Sequence, residues 1–172
     1  AILLSCKKYK DTKAVNDPRL TNPYCDSPNA VNYNWGFPGK PDNTVCFYPT
    51  DVFKGSYFFH DSVFHTADDI FLYADSFTIN ILPVSHTKIS ITGFCSAGYI
   101  LSLTAGPTYI ATVDTTEGDS TVINRGQPFC RIQDTVSGTI TRDRVDTTLL
   151  HIALQVASDT GMTTHVGNAR KQ

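Results

Sequence analysis

The segment Leu149-Leu150-His151-Ile152-Ala153-Leu154-Gln155-Val156 sets Leu150, Ile152, Leu154 and Val156 against His151, Ala153 and Gln155 in strict alternation. A period of two puts the two sets on opposite faces of an extended chain, so the segment reads as a strand with one buried face. The same period recurs earlier. Phe77, Ile79 and Ile81 alternate with Thr78 and Asn80, Ile89 and Ile91 flank Ser90, and Tyr99, Leu101 and Leu103 alternate with Ile100 and Ser102. Turn formers punctuate these runs at Ala67-Asp68-Asp69, Leu82-Pro83, Gly106-Pro107, Glu117-Gly118-Asp119, Arg125-Gly126-Gln127-Pro128, Arg142-Asp143 and Ser158-Asp159-Thr160-Gly161. No long stretch carries a helical period. Residues 50–172 are therefore expected to form an all-β domain, an antiparallel barrel or sandwich of about eight strands.

A chain of 172 residues suits one principal domain with appendages. Its net charge of -2 and the lack of a Lys/Arg cluster in the body of the chain argue against a nucleic-acid partner, because a phosphate-binding face needs cations well in excess of acids. Only 17% of residues are charged, while Thr, Ser, Asn and aromatic residues are plentiful, as in exported β proteins.

Residues 25–49 differ from the strand region. Four prolines and two glycines exclude regular structure from this aromatic stretch. A loop of this kind needs a cross-link to offset its conformational entropy, and a Cys25 to Cys46 disulfide would contribute about 3 kcal/mol. Cys95 and Cys130 fall in separate predicted strands; either they pair across neighbouring strands or they remain two buried thiols. Oxygens of Asp26, Asn29, Asn32, Asn34, Asp42 and Asn43 are of the kind that bind Ca2+ in irregular loops, although Asx side chains also cap turns, and no cofactor is otherwise expected. Trp35, Phe37 and Tyr48 are a candidate partner surface if they face outward together, and internal scaffolding if they fold back. Residues 7–24, with Lys7, Lys8, Lys10, Lys13, Asp11, Asp17, Pro18 and Pro23 and few apolar residues, read as a tether.

The fifth cysteine is Cys6. It follows Ala1-Ile2-Leu3-Leu4-Ser5 and precedes Lys7-Lys8-Tyr9-Lys10-Asp11, an abrupt change from apolar to basic and polar. Leu3 at three residues before the cysteine and Ser5 just before it resemble the bacterial lipobox. That resemblance implies cleavage before Cys6, acylation of its thiol, residues 1–6 as the end of a signal peptide with the lipidated cysteine, and the lipid bilayer as a partner. It leaves Cys25, Cys46, Cys95 and Cys130 as an even set. Asp26, Ala30, Asn32, Tyr33, Asn34, Asp42, Asn43, Cys46 and Tyr48 resemble a short module of exported Bacteroidota proteins. The strands that follow, with Phe53-Lys54-Gly55-Ser56-Tyr57 at their start, resemble calycin or lipocalin-like barrels, which implies a mouth or interior able to hold an apolar ligand. The alternative is an interior filled by its own side chains. Phe53, Phe58, Phe59, Phe64, Phe71, Tyr73, Phe77 and Phe94 are enough to fill a small barrel.

Catalytic patterns are not evident. In a strand His60 and Asp61 point to opposite faces, and His60 and His65 differ in parity, so no metal set converges there. His86, His151 and His165 stand alone in the sequence, and no nucleophile elbow, zinc-binding helix, phosphate loop or dinucleotide fingerprint occurs. The sequence is thus expected to encode a non-catalytic outer-membrane lipoprotein that acts as a binding or accessory subunit. Lys7 and Lys8 beside the anchor favour a periplasm-facing position, and the alternative role is an assembly component with an outer-membrane protein partner. Replacing Cys6 with Ala in the exported precursor is expected to move the protein from the membrane to the soluble fraction of fractionated cells; retention at the membrane would contradict acylation at this position.

Overall fold

In a computed structural model of the chain, residues 17–95, 99–114, 126–131 and 133–172 are described. Cys6 and most of the tether lie outside them. The described chain opens with a single 3-10 turn, Pro18–Thr21, capped by the Asp17 carboxylate. Strand β1 (Pro23–Tyr24) then pairs in parallel with β2 (Lys40–Pro41). The stapled module therefore begins before Cys25, and the last residues read as tether belong to it. Asp17 capping and a buried Tyr24 supply the local contacts that the polar composition concealed. Cys25 and Cys46 are bonded, with Cα atoms 4.9 Å apart.

The alternating segments become the wall of a closed barrel. Helix α1 (Pro49–Phe53) leads into β3 (Gly55–His65), β4 (Phe71–Pro83), β5 (Lys88–Thr92), β6 (Leu101–Ala105) and β7 (Ile110–Val113). After β8 (Gln127–Pro128) come β9 (Thr135–Arg142), β10 (Leu149–Ser158) and β11 (Gly161–Lys171). Each of β3 to β7 pairs antiparallel with the next, β7 pairs with β9, and β11 returns to β3, closing eight strands into an up-and-down barrel. The short β8 pairs Gln127 and Pro128 with Val136 and Thr135, on the edge of β9 that β7 occupies further along. Where β7 has ended, the Gln127 amide takes over the ladder: it donates to the carbonyls of Ser102 and Asp114, and its oxygen accepts from the Ser102 N–H at 2.9 Å.

Inward positions carry the core. Tyr57, Phe59, Ile79, Ile81, Ile89, Ile91, Leu103, Ile140, Leu150, Ile152 and Leu154 are fully or almost fully buried. Of the aromatics expected to fill the barrel, Phe53 and Phe59 are inside, and Phe77 and Phe94 pack against the core. Phe58, Phe71 and Tyr73 are instead exposed by 37%, 55% and 54%. Phe58 lies on the outer face of β3. Phe71 and Tyr73 sit in the part of β4 that runs beyond its pairing with β5, which spans only Asn80 to Pro83. Strands β3, β4, β10 and β11 have 10 to 13 residues and β5 to β7 only four or five, so one wall stands taller than the other.

The two ends of the barrel differ. At one end α1 inserts Val52 and Phe53, and Arg142 donates from Nη1 to the Val52 carbonyl at 2.5 Å, closing that end. Five helical residues are too few to show a period, so α1 is not legible in the sequence pattern. At the other end, here called the mouth, Cys95 and Cys130 are bonded with Cα atoms 5.3 Å apart. Both lie in loops rather than in the strands predicted for them. Gly93, at φ +106°, ends the β5 path just before Cys95, and Cys130 follows β8.

Gly167 faces β3 so closely that an added Cβ would overlap the His60 carbonyl oxygen. Gly167→Ala is expected to destabilise the protein by about 3 kcal/mol, in the upper part of the range for single substitutions, measured by chemical denaturation. The same assay on Cys25→Ser/Cys46→Ser is expected to give a loss of about 3 kcal/mol, with the strand signal in circular dichroism kept.

Candidate functional site

On β3 the inward side chains run Tyr57, Phe59, Asp61 and Val63, so a carboxylate follows two aromatic residues into the barrel. The register places Gly167 of β11 opposite Asp61 and His165 opposite Val63. The pair Asp61 and His165 is therefore diagonal across neighbouring strands, a separation that long side chains bridge, and the missing side chain at Gly167 leaves room for it. His165 Nδ1 lies 2.7 Å from Asp61 Oδ2. The Asp61 side chain is 6% exposed and the His165 side chain 15%.

The other Asp61 oxygen, Oδ1, is buried without a hydrogen-bond partner. So is Oδ1 of Asp134, a residue 8% exposed in the turn before β9. That turn carries Phe129, whose N–H donates to the Asp134 carbonyl at 3.0 Å. An orphaned buried acceptor costs about 1 to 3 kcal/mol. Two of them therefore occur at the mouth of one small barrel, among the described residues.

An aromatic cluster adjoins the Asp61 and His165 pair at the His165 ring. Phe59 meets Phe77 and Phe94 edge to face, with centroids 5.5 and 6.0 Å apart. Phe94 meets Phe129 at 5.8 Å, and Phe129 meets the His165 ring at 6.3 Å. The Cys95 to Cys130 disulfide joins the loops that carry Phe94 and Phe129, so the bond fixes two rings of the cluster relative to each other. A low-dielectric setting of this kind strengthens any hydrogen bond formed to Asp61.

The residues singled out in the sequence are dispersed. Asn32 donates from Nδ2 to the Val45 carbonyl and accepts the Phe47 N–H on Oδ1. Asp42 caps the N–H and hydroxyl of Thr44, and Asn43 accepts the Asp26 N–H. Asp42 thus caps a local turn, whereas Asn32 and Asn43 hold backbone groups 15 and 17 residues away in the sequence. Asn34 adopts the left-handed conformation at φ 58°. Among the described residues no group of three or more His, Cys, Asp or Glu side chains is placed to hold a metal ion.

Trp35 and Phe37 are 65% and 68% exposed, whereas Tyr48 stacks on His86 of the turn after β4, with centroids 3.6 Å apart. The stack joins the module to the barrel. His60 bonds Ser76 Oγ, and His65 pairs with Asp68, each at 2.8 Å on the surface. His165 is isolated in sequence because its partner lies 104 residues away; only the closing register of β11 on β3 brings them together.

No protein-family model matches the chain, and no curated protein matches it. Among solved structures it is similar to a redesigned β-barrel at 16% identity and TM-score 0.43, covering 72% of this chain and 95% of that one. It is similar also to a de novo designed fluorescence-activating β-barrel at 16% identity and TM-score 0.39, covering 72% and 96%.

Outside the barrel, His151 lies 2.7 Å from Asn168 Oδ1 and 3.1 Å from Asp143 Oδ2. The Asp143 and Asn168 hydrogen bonds raise the His151 pKa above 6.5. Backbone N–H groups of Asp146 and Val145, together with His151, lower that of Asp143 to about 2. A raised histidine pKa stabilises the fold fully below its unfolded value and is lost as pH rises through the folded one. The Asp143 contribution is complete above its unfolded value of 3.8 and disappears as pH falls towards about 2. His151→Ala should remove part of the decline in the urea midpoint between about pH 6 and about pH 8, a window set by the histidine pKa range.

Proposed function

We propose that the protein is a non-catalytic binding protein whose barrel mouth receives a small, flat, apolar molecule carrying a hydrogen-bond donor, an aromatic amine being the simplest case. The observation that carries this reading is the unpartnered, buried Oδ1 of Asp61, whose partner His165 meets Phe129 of the aromatic cluster. An N–H group would satisfy that oxygen, and the rings of Phe94 and Phe129 would pack against the ligand body. The Asp134 oxygen adds a second acceptor at the same end and favours a donor or cation over an anion.

The setting for this role is an exported lipoprotein. Acylation of Cys6 would hold the barrel at the outer membrane, facing the periplasm, and two disulfides suit an oxidising compartment. A second reading, an assembly component of an outer-membrane complex, is favoured by the outward Trp35 and Phe37. The two readings separate by variant: Trp35→Ala/Phe37→Ala should leave small-molecule binding unchanged and affect only co-purification with a protein partner.

The test uses 1-aminoanthracene, whose emission rises on entering an apolar site. The wild-type protein is expected to bind one equivalent saturably. Asp61→Leu/His165→Leu should abolish binding, while its stability without ligand stays equal or rises by about 1 to 4 kcal/mol, the range found when well-packed apolar residues replace buried ion pairs. Absence of saturable binding to the wild type, or equal binding by the folded double variant, would overturn the proposal.

A further inference from the structure

The closed end of the barrel carries a second feature that the mouth reading does not use. A groove of about 530 Å3 lies between Phe47 of the stapled module and the two turns that leave β6 and β9. This is within the size range of small-molecule sites. Tyr109 of the first turn holds a left-handed backbone, φ 67°, and its ring lies under the Arg144 guanidinium at 5.8 Å. Arg142 also lines the groove. Its Nη1 is committed to the Val52 carbonyl, while its Nε is buried with no hydrogen-bond partner.

Phe47 is held there by its own backbone. Its N–H donates to Asn32 Oδ1 and its carbonyl accepts from the Val31 N–H, each at 2.7 Å, next to the Cys25 to Cys46 bond. The acid in the groove wall, Asp143, is already engaged by the N–H groups of Val145 and Asp146 and by His151. Two guanidinium groups against one occupied carboxylate leave the groove with one surplus positive charge. The pattern is the opposite of the mouth: one orphaned donor, Arg142 Nε, in place of two orphaned acceptors.

We infer that this groove is a binding site for a small carboxylate on a flat apolar body, with Arg142 and Arg144 receiving the carboxylate and Phe47 and Tyr109 flanking the body. Guanidinium forks match the planar carboxylate, and ring faces accept the apolar part. The site is independent of the ligand proposed for the mouth. Within it the disulfide module supplies one wall, and the barrel supplies the floor.

The probe is 4-(trifluoromethyl)benzoate, followed by fluorine NMR, with its methyl ester as the uncharged control. The acid is expected to bind saturably and the ester not. Arg144→Gln, a surface change, should weaken binding about tenfold, a loss of about 1.4 kcal/mol. Cys25→Ser/Cys46→Ser, which frees the Phe47 wall, should weaken it several-fold, and Asp61→Leu/His165→Leu should leave it unchanged. No binding by the wild type, equal binding of acid and ester, or unaltered affinity in both the Arg144 and the cysteine variants would overturn the inference.

Discussion

The pairing of β11 with β3 is the constraint on which the rest of the structure depends. It runs from Thr163 opposite His65 to Lys171 opposite Tyr57, and joins the first strand of the barrel to the last. Without it the sheet would keep two open edges, each a row of unpaired N–H and carbonyl groups. With it, every inward residue of eight strands faces a common interior. The cost of the closure falls on glycine at 167, where the two backbones approach too closely for any side chain. The same seam creates the mouth site, because it alone sets His165 against Asp61.

Each end of the barrel is finished by a different device. At the closed end the chain before β3 folds into a five-residue helix, and Arg142 secures it by bonding the Val52 carbonyl. At the mouth the short strands β5 to β7 leave the taller wall uncovered, and the loops tied by Cys95 and Cys130 bring Phe94 and Phe129 over the core. An apolar cluster alone would finish that end at a lower free-energy cost. Asp61 bonds His165 through one oxygen, but its other, buried and unpartnered, lowers stability with no compensating bond. That imbalance is the physical ground on which the proposed ligand rests.

The wall of the barrel is legible in the sequence and its two ends are not. Alternation in Leu150 to Val156 and in Phe77 to Ile81 is readable because a half-buried strand needs nothing beyond period two. The Cys25 to Cys46 staple is readable because a loop with four prolines has little else to hold it. Helix α1 is too short to repeat its period, and the aromatic residues mislead because Phe71 and Tyr73 lie beyond the strand that would have covered them. His165 and Asp61 carry no local signal. Their meeting depends on a register between the two extremes of the domain, which composition and spacing do not encode. The Asx residues of the module are legible by type, but the bond by which Asn32 clamps Phe47 is not, because its partner lies 15 residues away.

The most direct test of the account is a high-resolution crystal structure of the protein with 1-aminoanthracene bound, beside one of the free protein. The account predicts the amine nitrogen within about 3.2 Å of Asp61 Oδ1, its rings against Phe94 and Phe129, and no other direct partner for that oxygen. An Asp61 Oδ1 bonded to the same ordered water in both crystals, with the probe lodged elsewhere, would contradict it.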